Sequence, residues 1–269
     1  MRGVLAVATL LASVVLTGFT QTATGPAGGQ VLTGTFPGTA REGFVYLPPG
    51  FDRTKHYPVV YLLHGMPGSP SEYLYGTQLP EFADTQIEAG RLRPFIAVVP
   101  AAGTQPKYNG EWAGPWEDAL VDRIVPWVDA NLPTIASPRG RVIAGLSAGG
   151  YGAIDIAVRH PDVFGAVESW SGYFSPLHDG PFKGATREML AAHDPMLLVR
   201  SERARLQLAG TRFFVSSGPS HSHWFREGQT VSFARELRGL GLPVELRLFS
   251  SQRGEWRDQL DAGLGWAFG

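Results

Sequence analysis

The stretch Arg141-Val-Ile-Ala-Gly145-Leu-Ser147-Ala-Gly149-Gly150 decides the fold. Arg141–Ala144 reads as a short β-rich strand, and Gly149–Arg159 reads as a helix. Between them stands Gly-x-Ser-x-Gly, with the serine at the apex of a strand–turn–helix unit. A turn that sharp strains the serine backbone, so the residues two positions either side must be small. Gly145 and Gly149 meet that demand, and Gly152 lets the helix approach the sheet. The amides at the start of that helix point toward any negative charge that develops beside the serine. Ser147 is therefore a candidate nucleophile.

Working outward, apolar runs of strand length recur at Gly43–Leu47, Val59–Leu63, Phe95–Val99, Ala166–Ser169, Arg212–Ser216 and Val244–Phe249. Several are continuous, as expected for strands covered on both faces. Segments of helical character alternate with them: Ser71–Glu88, Trp116–Asn131 (kinked at Pro126), Asp194–Leu208 and Gln229–Leu240. Alternation of this kind predicts an α/β fold with a mainly parallel central sheet and helices on both faces. Its chemistry should gather in loops beyond the carboxyl ends of the strands. Gly172–Ala192, rich in Gly and Pro, reads as a loop excursion over the site and not as a second domain.

The amino terminus has a different character. Met1-Arg2-Gly3 precedes an uncharged run from Val4 to Phe19 and a small-residue stretch to Gly29. One positive charge, an apolar segment and a small-residue exit describe a secretory signal peptide. The expected organisation is thus 1–29, leader and linker, followed by one domain over 30–269. No clean A-x-A site marks the cleavage point, and a retained anchor is the alternative. Leader removal leaves no expected membrane span, and the expected location is extracellular or in the cell envelope. The net charge of -1 gives no electrostatic reason to bind nucleic acid. The chain has no cysteine, which excludes disulfides, a thiolate nucleophile and Cys-ligated zinc.

A second piece agrees with the first: Val59-Val-Tyr-Leu-Leu-His64-Gly65-Met66-Pro67-Gly68 is a buried strand ending in His-Gly. With YLLHG at Tyr61–Gly65, AGLSAGGYGA at Ala144–Ala153, HPDVFGAV at His160–Val167 and SWSGYF at Ser169–Phe174, the chain resembles the putative-esterase family of α/β-hydrolases. HDP at His193–Pro195 and EWRDQL at Glu255–Leu260 extend the match. That group includes antigen 85 mycolyltransferases, S-formylglutathione hydrolases of the esterase D type, and feruloyl esterases. The resemblance implies carboxylic ester hydrolysis or acyl transfer on an ester substrate, with no metal or organic cofactor. In this fold the backbone amides of Met66 and Ala148 would form the oxyanion hole. His64 itself reads as structural. Of the others, His56 and His160 read as solvated, His193 as structural, and His178 lies in the loop excursion.

The pattern then breaks. Family members place the triad acid after the Arg212–Ser216 strand and the histidine after the final strand, yet no histidine follows His223. The acid's loop reads Ser217-Gly-Pro-Ser-His221-Ser-His223-Trp224, while Glu255 stands beyond the final strand. One reading has base and acid exchanging loops, so that His223 or His221 serves Ser147 and Glu255 orients the imidazole, since a triad is defined by geometry and not chain order. The other makes the protein an inactive relative that binds a cell-envelope ligand. Asp258, Asp194 and Glu227 are fallback acids, with Asp194 also suited to cap a helix before Pro195. His221-x-His223 lacks a third nearby ligand, so no metal is expected. On the substrate side, Trp112, Trp116, Trp170 and Tyr173 follow strand ends and are expected to rim the pocket. The residues do not fix the acyl and alcohol groups of the substrate or the oligomeric state.

Overall fold

Side chains along the central strands alternate between two apolar layers. Val59, Tyr61 and Leu63 enter one layer, whereas Val60 and Leu62 enter the other, as the two-residue strand period requires. A sheet buried on both faces follows. The computed structural model describes residues 16–105, 107–218, 227–250 and 255–269.

Nine strands form one sheet among these residues: β1 Phe19–Thr24, β2 Gln30–Thr35, β3 Glu42–Leu47, β4 Val59–Leu63, β5 Ile96–Val99, β6 Arg141–Leu146, β7 Ala166–Trp170, β8 Arg212–Ser217 and β9 Val244–Leu248. Their order is β1-β2-β3-β5-β4-β6-β7-β8-β9. β1, β2 and β3 pair antiparallel, and β3 meets β5 antiparallel. From β5 onward every pairing is parallel. The expected strands are all present, within two residues at either end.

Helices α1 (Leu79–Glu88) and α9 (Glu255–Phe268) cover one face of the sheet, through Leu79, Phe82, Leu260 and Leu264. The opposite face carries α2 (Pro115–Asp118), α3 (Val125–Asn131), α4 (Ala148–Arg159), α6 (Pro195–Ser201), α7 (Arg203–Ala209) and α8 (Glu227–Gly239). The short α5 (Arg187–Ala191) belongs to the excursion after β7. Helices therefore lie on both faces of a mostly parallel sheet, the expected class.

Residues 115–131 are helical throughout, with Ala119–Ile124 a wide π turn directly before Pro126, which has no N–H to donate within the helix. Three expectations need correction. The span read as one helix from Ser71 divides into a π turn, Glu72–Gly76, and α1, with Gln78 left-handed between them at φ 51°. Asp194–Leu208 is two helices, and Asp194 caps the first by accepting from the amides of Met196 and Leu197. Finally, part of the segment read as leader and linker joins the sheet. β1 is mostly exposed, an edge strand of alternating Thr, Gln and Ala without an apolar signature. The turn after it is pinned by buried Asp84, which accepts from the amides of Ala27 (2.8 Å) and Gly29 (3.0 Å) and from the Tyr46 hydroxyl (2.7 Å). Residues 1–15, which hold most of the apolar run read as a leader, lie outside the described residues.

Candidate active site

β6 delivers Ser147 at the carboxyl end of the sheet, and α4 begins on the next residue. Ser147 holds φ 52° and ψ -115°, a conformation that side-chain-bearing residues avoid. Such strain persists only when the surroundings over-determine it. Here they do: the Ser147 amide donates to the Trp170 carbonyl at 3.0 Å, and the Ser147 carbonyl accepts from Tyr151 at 3.0 Å. A β-carbon on Gly145 would overlap the Gly149 backbone, and one on Gly149 would overlap the Leu63 carbonyl at the end of β4. The turn thus closes only with glycine at both positions. Ala148 is the first residue of α4, so its amide is one of the four with no partner inside the helix.

Ser147 opens into a cavity of about 310 Å³ lined by Gly65, Met66, Pro67, Glu72, Gly76, Thr77, Leu146 and Trp256. The loop after β4 therefore borders the serine through Gly65, Met66 and Pro67. That loop is held from behind. Glu72 Oε2 accepts from the Gly65 amide at 3.0 Å, and Gly68 exchanges backbone hydrogen bonds with Tyr108. Burial pushes the Glu72 carboxyl above its ordinary value, while the Gly65 and Ser69 amides and the Lys107 charge pull it back.

His64 is fully buried and locked: its Nδ1 lies 3.0 Å from the Gly65 carbonyl, and its Nε2 lies 3.1 Å from the Ala102 amide. The amide N–H must donate to Nε2, so the proton sits on Nδ1 and both ring nitrogens are spent. Burial drives its pKa down to about 4. His64 is a strut and not a base, as the sequence indicated.

The aromatic residues expected at the rim mostly lie elsewhere. Trp112 is buried and donates to the His64 carbonyl at 2.9 Å. Trp170 is buried on the α9 face, bonded to Glu168 at 2.9 Å. Tyr173 donates to buried Glu111 at 2.6 Å and stacks on Tyr151. These three pack the interior because each ring finds its polar partner inside. Trp116 is half-buried and lines a separate cavity of about 810 Å³ with Lys107, Tyr108, Asn109 and Pro181. Trp256, Glu72 and Thr77 are the wall residues that the pattern of residues did not reveal. Glu72 and Thr77 sit in a segment read as plain helix, and Trp256 opens α9, which the sequence did not mark as a helix.

His221, His223 and the Glu255 side chain lie outside the described residues. What is described is where their loops begin. β8 and β9 pair in parallel with Ser217 opposite Leu248, and the Phe249 amide donates to the Ser217 carbonyl at 2.9 Å. Beneath them Gln259 of α9 is buried, accepting from Ser216 Oγ at 2.6 Å and donating to Ser171 Oγ at 2.9 Å. Among the fallback acids, Asp194 is the helix cap already noted and Glu227 is exposed at the start of α8.

A second polar cluster lies along α4. Nδ1 of His193 meets Asp155 at 2.8 Å, and His160 meets buried Glu117 at 2.8 Å, so His160 is half-buried and paired, not solvated. Glu117, Asp155 and His193 bring ligand atoms within 4.8 Å of one another. Arg159 already occupies that space, 3.0 Å from Glu117 and 3.2 Å from His193. Burial opposes ionisation of Glu117, but His160 and Arg159 outweigh it and hold the carboxyl low.

The sheet order, the strained serine turn after β6 and the flanking helices define an α/β-hydrolase. Residues 35–266 match the family described as putative esterase, and the chain belongs to that family. It is 28% identical over 238 residues to Esterase Rv1288 of Mycobacterium tuberculosis, covering 75% of this chain and 50% of that protein. It is 29% identical over 171 residues to the diacylglycerol acyltransferase/mycolyltransferase Ag85B of Mycolicibacterium smegmatis, covering 56% and 51% respectively. The chain thus spans about half the length of these curated relatives. Among solved structures it is similar to a ferulic acid esterase, with TM-score 0.77, 24% identity, 89% of this chain and 98% of that one. It is also similar to the S-formylglutathione hydrolase FrmB of Staphylococcus aureus, with TM-score 0.68, 18% identity, 89% and 98%. These two likenesses are of fold.

Proposed function

We propose that the protein is an exported serine ester hydrolase or acyltransferase that works through an acyl-enzyme on Ser147. The observation that carries this reading is the strained Ser147 turn, φ 52°, opening into a cavity bordered by the β4 loop. A backbone held in that conformation without chemical purpose would cost about 1–3 kcal/mol for nothing.

In the proposed reaction Ser147 Oγ attacks the acyl carbon while an imidazole accepts its proton. The amides of Met66 and Ala148 hold the tetrahedral oxyanion. Collapse expels the alcohol, which leaves with the proton from the imidazolium. Water or an acceptor alcohol then repeats the sequence on the acyl-enzyme and frees Ser147. The imidazole is that of His223 or His221, oriented by Glu255. This exchanged triad is supported by the adjoining exits of β8 and β9, since a base on one loop and an acid on the other can face the same serine. To Trp116, which lines the separate cavity, we assign contact with a bulky substrate. Kinship with Esterase Rv1288 and Ag85B favours ester chemistry, and the leader-like amino terminus favours export to the envelope or beyond.

A fluorophosphonate probe should label the wild type and not Ser147→Ala. His223→Ala or His221→Ala should cut turnover of a p-nitrophenyl ester by at least ~10³, whereas His64→Ala should act mainly on stability. The absence of any histidine after His223 favours one rival, a relative that only binds an envelope ligand. No labelling of the wild type would establish it. Product analysis with glycerol or trehalose present separates hydrolysis from transfer.

A further inference from the structure

Glu72 is the single charged side chain among the described residues that line the Ser147 cavity. Its carboxylate is built in: Oε2 accepts from the Gly65 amide, and a β-carbon on Gly68 would lie 2.5 Å from Oε1. The backbone of the β4 loop therefore folds against the carboxylate and leaves it little freedom to swing away. It stands on a single π turn, Glu72–Gly76, a geometry enriched at functional sites. The turn is tied down by the Tyr73 hydroxyl to the Leu63 carbonyl at 2.8 Å and by Thr77 Oγ1 to the Tyr73 carbonyl at 3.1 Å. Among the other walls Met66, Pro67, Leu146 and Trp256 are apolar, and Thr77 and Ser147 are polar but uncharged. In a space of about 310 Å³, a substrate group cannot lie far from that carboxylate.

We infer that Glu72 is a specificity-determining residue, whose fixed negative charge makes the Ser147 cavity take esters carrying neutral or cationic groups and reject those carrying a carboxylate. The inference rests on the proposed esterase reading. Its physical basis is direct: two like charges confined to a partly desolvated pocket repel far more strongly than in water. Lys107 weakens the field of Glu72 from outside the cavity without lining it.

The experiment compares matched substrates at pH 8. On the acyl side the pair is mono-p-nitrophenyl adipate and its methyl ester. On the alcohol side it is 4-carboxyphenyl hexanoate and 4-carbamoylphenyl hexanoate. A trimethylammonium ester of similar length supplies the opposite charge. The wild type should favour the neutral member of at least one pair by about tenfold or more in kcat/KM, and should take the cationic ester at least as well as the neutral one. Glu72→Gln keeps a carbonyl acceptor for Gly65 and removes the charge, so the preference should fall to within about twofold. The ratio within a pair is the readout, which a merely structural role would not move. Equal kcat/KM across both pairs in the wild type overturns the inference even if the variant does not fold. An undiminished preference in a folded Glu72→Gln protein also overturns it. Both outcomes leave Ser147 reactive toward the fluorophosphonate probe, whereas loss of that labelling in the wild type would overturn the esterase reading as well.

Discussion

Glu168 shows what a single residue in the middle of a sheet can cost. It sits on β7, fully buried on the α9 face, with Oε2 accepting from Trp170 Nε1 and Oε1 without a hydrogen-bond partner among the described residues. Burial raises its pKa from 4.5 to about 8, against the hydrogen bond from Trp170 and the charge of Arg212. The folded protein thus holds this proton more tightly than the unfolded chain does. Its contribution is complete below about pH 4.5 and is lost as pH rises toward 8. Glu168→Gln keeps the shape without the titration, so unfolding stability should fall less between pH 5 and pH 8 than in the wild type. The difference should be on the order of a few kcal/mol. Urea unfolding at the two pH values measures it, and an unchanged difference would refute the assignment. Glu111, also raised to about 8 by burial, leaves a residual slope in both proteins. Neither acid could be read as buried from the sequence. Glu168 interrupts an apolar strand, and only the close approach of Gly263 to it shows that α9 was shaped around the carboxyl group.

At the scale of elements, the junction of β4, β6 and α4 governs the site. Gly149 lies where α4 crosses the end of β4, and a methyl there meets the Leu63 carbonyl. Gly149→Ala should cost about 1–3 kcal/mol in thermal unfolding and slow fluorophosphonate labelling of Ser147. Full labelling at wild-type rate would mean that the turn tolerates the displacement. This junction was legible in advance, because Gly145, Ser147 and Gly149 carry a spacing that physical necessity imposes on a sharp turn. The strands were legible for a similar reason, since Val59–Leu63 must be apolar throughout to sit between two helical layers. Other elements carried no such signature. β1 hides among polar residues because an edge strand needs no apolar face. The walls of the cavity also stayed hidden: Glu72, Thr77 and Trp256 converge from two elements far apart in the chain. The aromatic residues misled, since Trp112 and Tyr173 follow strand ends yet satisfy their polar atoms inside the core.

Over the whole molecule, two apolar layers share one sheet, and the antiparallel β1–β3 ribbon extends it at one edge. Phe19 is the main anchor of β1, stacked at 5.2 Å on Trp127 and edge-on to Phe36 at 5.0 Å. The turn that follows is fastened independently by Asp84. Leu16, buried in the same layer as Phe19, is removed with it, so a chain beginning at Gly25 should fold but lose about 3–6 kcal/mol, the worth of two large apolar side chains. Circular dichroism and thermal unfolding test this, and a chain that fails to fold would show β1 to be essential. At the opposite edge, the Ser217–Phe249 hydrogen bond ties the ends of β8 and β9 together, so the two chains leave a rigid frame side by side. Under the proposed exchange of base and acid, those two outlets would serve as interchangeable sockets, and working parts could be shuffled between them with every beam left in place.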